Sequence, residues 1–180
     1  MKGDPLSPIV SNLSAALLLY TGRIDEAIAE AKRTLELDPN YLYENSMLAE
    51  AYCEKGMFSE AIEFFKKTQE VSGVPQSGLA VTYARMGRED EARQILDTLK
   101  NLAATRYLPA EEIAVVYVAL GENDEAFKWL DRAFQEHSGT LHSIGVLPTF
   151  RKLHSDPRFG ALLKRIGLDP APILARDKAP

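Results

Sequence analysis

The sequence predicts an all-α tandem repeat, and three observations carry that expectation. A six-residue phrase recurs four times, as Gly22-Arg-Ile-Asp-Glu-Ala27, Gly56-Met-Phe-Ser-Glu-Ala61, Gly87-Arg-Glu-Asp-Glu-Ala92 and Gly121-Glu-Asn-Asp-Glu-Ala126, with glycine spacings of 34, 31 and 34. Ahead of each glycine runs a helix-like stretch with a fixed signature: Tyr52, Tyr83 and Tyr117, or Leu18 in the first unit, lie four residues before it. Ala15, Ala49, Ala80 and Ala114 come three residues earlier still. After each phrase a second stretch places Ala31, Phe65, Leu96 and Leu130 four residues beyond the repeated alanine.

Each phrase reads as helix, tight turn, helix. Glycine takes positive φ without steric cost and ends the first helix. Three residues later, Asp25, Ser59, Asp90 or Asp124 offers an oxygen that predicts the cap of the next helix. The glutamate that follows suits the positive end of the helix dipole. The alanine lets a neighbouring helix come close. The predicted helices are 8–20 and 25–37, 42–55 and 59–72, 75–86 and 90–104, then 109–120 and 124–137. They group into units 8–39, 42–73, 75–105 and 109–138, with Pro5 and Pro39, 34 apart, as unit ends. Residues 1–7 then read as the end of a preceding repeat in a longer protein.

Beyond Gly139 the phrase stops, and residues 139–167 read as a helical cap. Leu141, Ile144 and Leu147 keep helical spacing up to Pro148. Asp156-Pro157 is a cap-then-proline helix start, with Phe159, Leu162, Leu163 and Ile166 on one face, Arg158, Lys164 and Arg165 opposite, and Gly167 as terminator. Covering the exposed flank of the last repeat is what a helical array requires of such a segment. Residues 168–180, rich in proline and alanine, read as a disordered tail.

Composition narrows the function. A net charge of −5 opposes nucleic-acid binding, which needs a basic stripe. The apolar run Ile113–Leu120 is about two helical turns, too short for a membrane span. The polar start Met1–Pro5 does not resemble a signal peptide. A single cysteine, Cys53, permits no intrachain disulfide, which suits the cytoplasm.

The repeated residues resemble the tetratricopeptide family, whose pattern is Trp-x2-Leu-Gly-x2-Tyr, then Ala-x3-Phe, then Pro. The resemblance covers roughly residues 6 to 138. No unit has the tryptophan, alanine replaces the first glycine, and the last two units lack the closing proline. It implies a right-handed α-α superhelix of about four helix pairs that binds a peptide or amphipathic helix in its concave groove. The runs Pro109–Gly121, Ala126–Leu130 and Leu153–Leu168 are similar to the C-terminal segments of large bacterial signalling proteins, where such repeats follow a Ser/Thr kinase, a nucleotide cyclase or a winged-helix regulator. That similarity implies a regulatory arm.

Carried over residue by residue, the family's groove falls on Asn12, Ala16, Leu19 and Tyr20; on Tyr43, Ser46, Met47, Glu50 and Cys53; on Ser77, Val81 and Arg85; and on Glu111, Glu112, Val115 and Val118. The branch that grips a chaperone's terminal carboxylate needs lysine, asparagine and arginine at positions that here read Asn12, Ala16, Met47, Val74 and Gly78, so that clamp is not expected. The alternative to partner binding is self-association, with the groove packed on a second copy or on the chain's own C-terminal segment. No enzyme, cofactor or metal is expected. The glycines are helix terminators rather than a phosphate loop, His137, His142 and His154 match no ligand spacing, and Cys53 has no histidine near it in sequence.

Overall fold

A computed structural model describes residues 8–175, with side chains from residue 12 onward. The expectations for residues 1–7, including Pro5, and for 176–180 lie outside the described residues. The chain is all-α, with no strand among the described residues, and its helices pack in adjacent pairs, the arrangement of a helical-repeat protein. It divides into two compact units, Met1–Thr82 and Tyr83–Pro180. The first holds α1 (Pro8–Tyr20) with α2 (Ile24–Leu37), and α3 (Leu42–Lys55) with α4 (Phe58–Ser72). The boundary falls inside α5 (Ser77–Arg85). The second holds α6 (Glu89–Ala103), α7 (Glu111–Leu120) and α8 (Asn123–Gln135), then the C-terminal segment.

One backbone turn is used four times. Gly22, Gly56, Gly87 and Gly121 have φ of +84°, +80°, +74° and +81°. The next residue donates its N–H back to the carbonyl of Leu18, Tyr52, Tyr83 or Tyr117, at 2.8–2.9 Å. Each glycine N–H reaches the residue after that one, Leu19, Cys53, Ala84 or Val118. These paired bonds make the Schellman motif, which satisfies the last carbonyls of the first helix. The signature position four residues before each glycine is thus the acceptor that closes the turn.

The second helices begin one residue earlier than predicted, and Asp25, Ser59, Asp90 and Asp124 do not cap them. The cap positions are Arg23, Met57, Arg88 and Glu122, with φ near −85° to −90°, and none makes a side-chain cap bond. The left-handed glycine leaves a single non-helical residue, with ψ of 60–67°, before the helix starts, so the acidic residue already sits in the first turn. There it meets the helix dipole, and Arg23 and Arg88 bond to Glu26 and Glu91 at 2.7 and 2.9 Å.

Small residues set the helix spacing. Ala27, Ala61, Ala92 and Ala126 are fully buried, and so are Ala15, Ala49, Ala80 and Ala114 on the first helices. Ala31, Phe65, Leu96 and Leu130 are buried one turn on, and Tyr52, Tyr83 and Tyr117 close the core at the turn end. A larger side chain at any of these alanines must push packed helices apart.

The C-terminal segment differs from its prediction in two places. Leu141, Ile144 and Leu147 do not lie on one α-helix: a 3-10 helix covers Leu141–Gly145, and a second, unforeseen in the sequence, covers Pro148–Leu153 and buries Phe150 and Leu153. The proline at 148 pushes Leu147 out of the α region, to ψ of 126°, which cuts it off from the turn that holds Leu141 and Ile144. Residues 170–174, expected to be disordered, form α10 (Pro170–Leu174), whose Asp169 cap repeats the Asp-Pro start of the helix before it. That helix, α9 (Pro157–Arg165), forms as expected: Asp156 Oδ1 accepts from the Arg158 N–H at 2.9 Å, and Phe159, Leu162 and Leu163 are buried.

The segment keeps the repeat's register. Arg158 Nη1 bonds Asp124 Oδ1 and Arg165 Nη1 bonds Asp131 Oδ1, both at 2.7 Å and both across 34 residues. The two guanidinium groups lie 4.2 and 4.4 Å from the ring centres of Phe127 and Phe134 on α8. Pro148–Leu153 packs on α7 as a shortened first helix, and α9 lies beside α8 as a second one. Arg158 and Arg165 on the charged side of α9 thus reach α8 while remaining exposed, as Lys164 is.

Candidate interaction surface

The predicted groove residues come from the first helices, and each unit is considered by itself. In the first unit Tyr43 stands out: it is 71% exposed at the start of α3. Its ring meets that of Tyr41 edge-on, with centroids 5.9 Å apart at 63°. Tyr20, Ser46, Glu50, Ala16 and Ser77 are half-buried.

Several predicted groove residues have little surface to offer. Leu19, Met47 and Val81 are buried in the first unit and Val118 in the second, and Cys53 is buried with them. Leu19, Cys53 and Val118 share one place in the repeat, three residues before the glycine, where the side chain packs as the turn closes. Met47 is buried because the face of α3 that carries it is packed inside the unit. In the second unit Arg85 is exposed, and Glu112 and Val115 are half-buried.

Two acidic residues sit deeper than their type predicts. Glu44, in the first turn of α3, is fully buried and accepts from Asn12 Nδ2 of α1 at 3.1 Å. Its other oxygen, Oε1, is buried with no hydrogen-bond partner. Burial pushes its carboxyl above the ordinary glutamate value, the Asn12 bond opposes that, and the nearby Glu30 carboxylate adds to it. Asn12 is thus engaged by Glu44. In the second unit Glu111 is buried at the start of α7 and accepts from the hydroxyls of Ser138, at 2.7 Å, and Thr140. It ties α7 to the segment after α8, so it is structural rather than part of a groove. Sequence alone did not single them out: Glu112 shares the first turn of α7 with Glu111 and is only half-buried.

Among the described residues no group of three or more His, Cys, Asp or Glu side chains converges as a metal site. His154 stacks on Phe159 with centroids 5.3 Å apart, and His137 ends α8 with φ of +53°. No described helix is long and apolar enough to cross a membrane.

Helix pairs joined by one repeated turn define a helical-repeat protein. The PPR repeat family matches residues 46–71, from within α3 to nearly the end of α4. The chain is also similar to the small glutamine-rich tetratricopeptide repeat-containing protein 2 of Mycosarcoma maydis, with 33% identity over 82 residues, 44% of this chain and 23% of the relative. The match therefore spans about a quarter of that relative's length. Both likenesses are to repeats, and helical repeats of these kinds generally serve to bind other macromolecules, proteins above all.

Proposed function

We propose that the chain is a protein-binding module that takes a peptide or amphipathic helix on the open face of its first helices. The observation that carries this reading is Tyr43: an exposed aromatic side chain, steadied by Tyr41, on a rigid helix. Aromatic residues held in this way are favoured anchors at interface centres. Tyr20 and Glu50 are further contact residues of the first unit, and Arg85, Glu112 and Val115 are those of the second. Leu19, Met47, Val81 and Val118 support the wall. Asn12, bonded to Glu44, sets its floor rather than meeting the partner.

Helical repeats that read RNA need cationic surface to neutralise phosphates. Here α3 carries Glu44, Glu50 and Glu54 against Lys55 alone, which favours a protein ligand. The likeness of the runs 109–121, 126–130 and 153–168 to segments of bacterial signalling proteins supports a regulatory arm as the setting, and the single Cys53 suits a cytoplasmic one.

Helical peptides selected from a display library against the wild-type chain supply the test. Tyr43→Asp is expected to weaken their binding by at least tenfold in fluorescence anisotropy, with unchanged far-UV circular dichroism. Undiminished binding by this variant defeats the reading. A concentration-dependent dimer that Tyr43→Asp dissolves makes the same face a self-association surface instead.

A further inference from the structure

A cleft between α2 and α4, within the first unit, combines an apolar lining with two lysines that form no ion pair. It holds about 330 Å3, and Leu35, Pro39, Leu48 and Phe64 supply its apolar surface. That volume lies at the lower end for ligand sites, about 300–1,000 Å3, and suits a side chain or two rather than a cofactor. The Tyr52 ring backs Phe64, with centroids 5.8 Å apart. Val71, one turn beyond Lys67 on α4, is 56% exposed and continues the side of the helix that carries Phe64 and Lys67.

The rim is cationic. Lys32 lies over the Tyr52 ring at 5.6 Å, and Lys67 Nζ donates to the Pro39 carbonyl. Neither forms an ion pair among the described residues, whereas Arg23, Arg33 and Lys55 of the same unit all do. Glu36 is the one carboxylate in the lining, and it leaves the two lysines in excess.

The repeat accounts for the hollow but not for its charge. In the second unit a cleft of the same volume lies between α8 and α9, with Phe134 and Ser138 where the first has Leu35 and Pro39. By the repeat spacings, Lys32 and Lys67 correspond there to Asp131, which Arg165 engages, and to Ile166. Packing one helix pair on the next therefore opens the cleft without calling for two lysines at its edge.

We propose that the cleft between α2 and α4 is a docking site for an acidic linear segment of a partner protein. A bulky apolar residue of that segment enters the hollow, and carboxylates on either side of it meet Lys32 and Lys67. Apolar burial supplies the affinity, and the lysines select the charge and set the orientation. The site is built mainly on second helices and does not depend on the surface around Tyr43.

The probe is a fluorescein-labelled peptide, Gly-Glu-Glu-Leu-Phe-Glu-Glu-Gly, titrated with the full chain and followed by anisotropy. It is expected to bind at low salt and to weaken as salt rises. Lys32→Gln combined with Lys67→Gln should weaken binding by about tenfold, the loss of two surface charge contacts, with unchanged far-UV circular dichroism. Glu36→Gln should strengthen it, and Tyr43→Asp should leave it as it was. A peptide with alanine for leucine and phenylalanine should bind about tenfold more weakly or worse. No binding, or binding that survives the loss of both lysines, overturns the proposal. Equal binding of the alanine peptide does so too, because charge alone would then explain it. Binding that Tyr43→Asp removes puts the peptide on the other surface. A dimer of the chain that the lysine exchanges dissolve makes a second copy the occupant, and either result also overturns the proposal.

Discussion

Gly78→Ala is expected to destabilise the protein, against the usual direction for a glycine in a helix. Where the backbone suits alanine, the exchange normally stabilises by about 0.4–1 kcal/mol, because it reduces the freedom of the unfolded chain. Gly78 lies in α5 without positive φ, so that gain applies. Opposing it, a Cβ at 78 falls 2.5 Å from Phe65 Cε1, closer still to Cζ, and 3.2 Å from Cε2. Ordinary carbon contacts lie at about 3.5–4 Å. The ring or the helix must therefore shift by roughly 1 Å, and Phe65, only 2% exposed, has no open side to turn to. Overpacking of this kind costs about 1–3 kcal/mol. The net expectation is a loss of about 1 kcal/mol or more.

Gly160→Ala is the internal control, since a Cβ there meets only Leu174 Cδ1 at an ordinary 3.6 Å. It should stabilise by about 0.4–1 kcal/mol. Urea unfolding followed by far-UV circular dichroism measures both. Combining Gly78→Ala with Phe65→Leu should recover much of the loss, giving a coupling of about 1 kcal/mol in the double-mutant cycle. Gly78→Ala as stabilising as Gly160→Ala, or a coupling near zero, would refute the close approach of α5 to α4.

Glu44→Gln should raise stability at neutral pH by about 1 kcal/mol, since it removes a buried ionised group with an unpartnered oxygen. Because folding raises the Glu44 pKa, its contribution to stability is fully present below the ordinary value of 4.5 and is lost as pH rises through the folded value. The gap between variant and wild-type melting temperatures should therefore open with rising pH and close in acid; a gap independent of pH would assign the effect to packing. His137→Gly should stabilise by about 1 kcal/mol, because His137 holds φ of +53° at a Schellman turn, with Ser138 N–H bonded to Ala133 at 3.0 Å. Equal or lower midpoints in urea would show that its side chain has a compensating role. Truncation after Gly139 should lower the melting temperature and promote aggregation, since the cores of the Pro148–Leu153 turn and α9, with Phe150, Leu153, Phe159 and Leu163, are lost; an unchanged, monomeric product would deny that segment a capping role.

How much of this was readable in the sequence follows from how local each feature is. The repeated turn is decided within about six residues, by a glycine free to take positive φ and an acceptor carbonyl four residues before it, so its four copies were legible. Cap identity was not, because one residue of offset moves Asp124 from cap to first turn, where its carboxylate meets Arg158. The 3-10 turns were illegible for a different reason: Leu141, Ile144 and Leu147 satisfy helical spacing, and only the packing of Gly145 against Leu163, Leu168 and Ile173, and of Pro148–Leu153 on α7, decides how the backbone bends.

The groove marks where local reading ends. Whether a first-helix position is open depends on the helix laid against it, and equivalent positions along this chain do not fare alike. Met47 is buried where Leu13 is exposed, and Val81 is buried where Glu50 and Val115 are half-buried. A family's list of contact positions carries the side of the helix but not its cover, which is why Leu19 and Val118 were named as contacts and stand in the core. Tyr43 escapes this error because of its side of the helix and not its place in the chain: Glu44, next to it in the same first turn, is fully buried, while Tyr43 is exposed and meets Tyr41 edge-on. That open, ring-braced side chain is why the binding proposal rests on Tyr43.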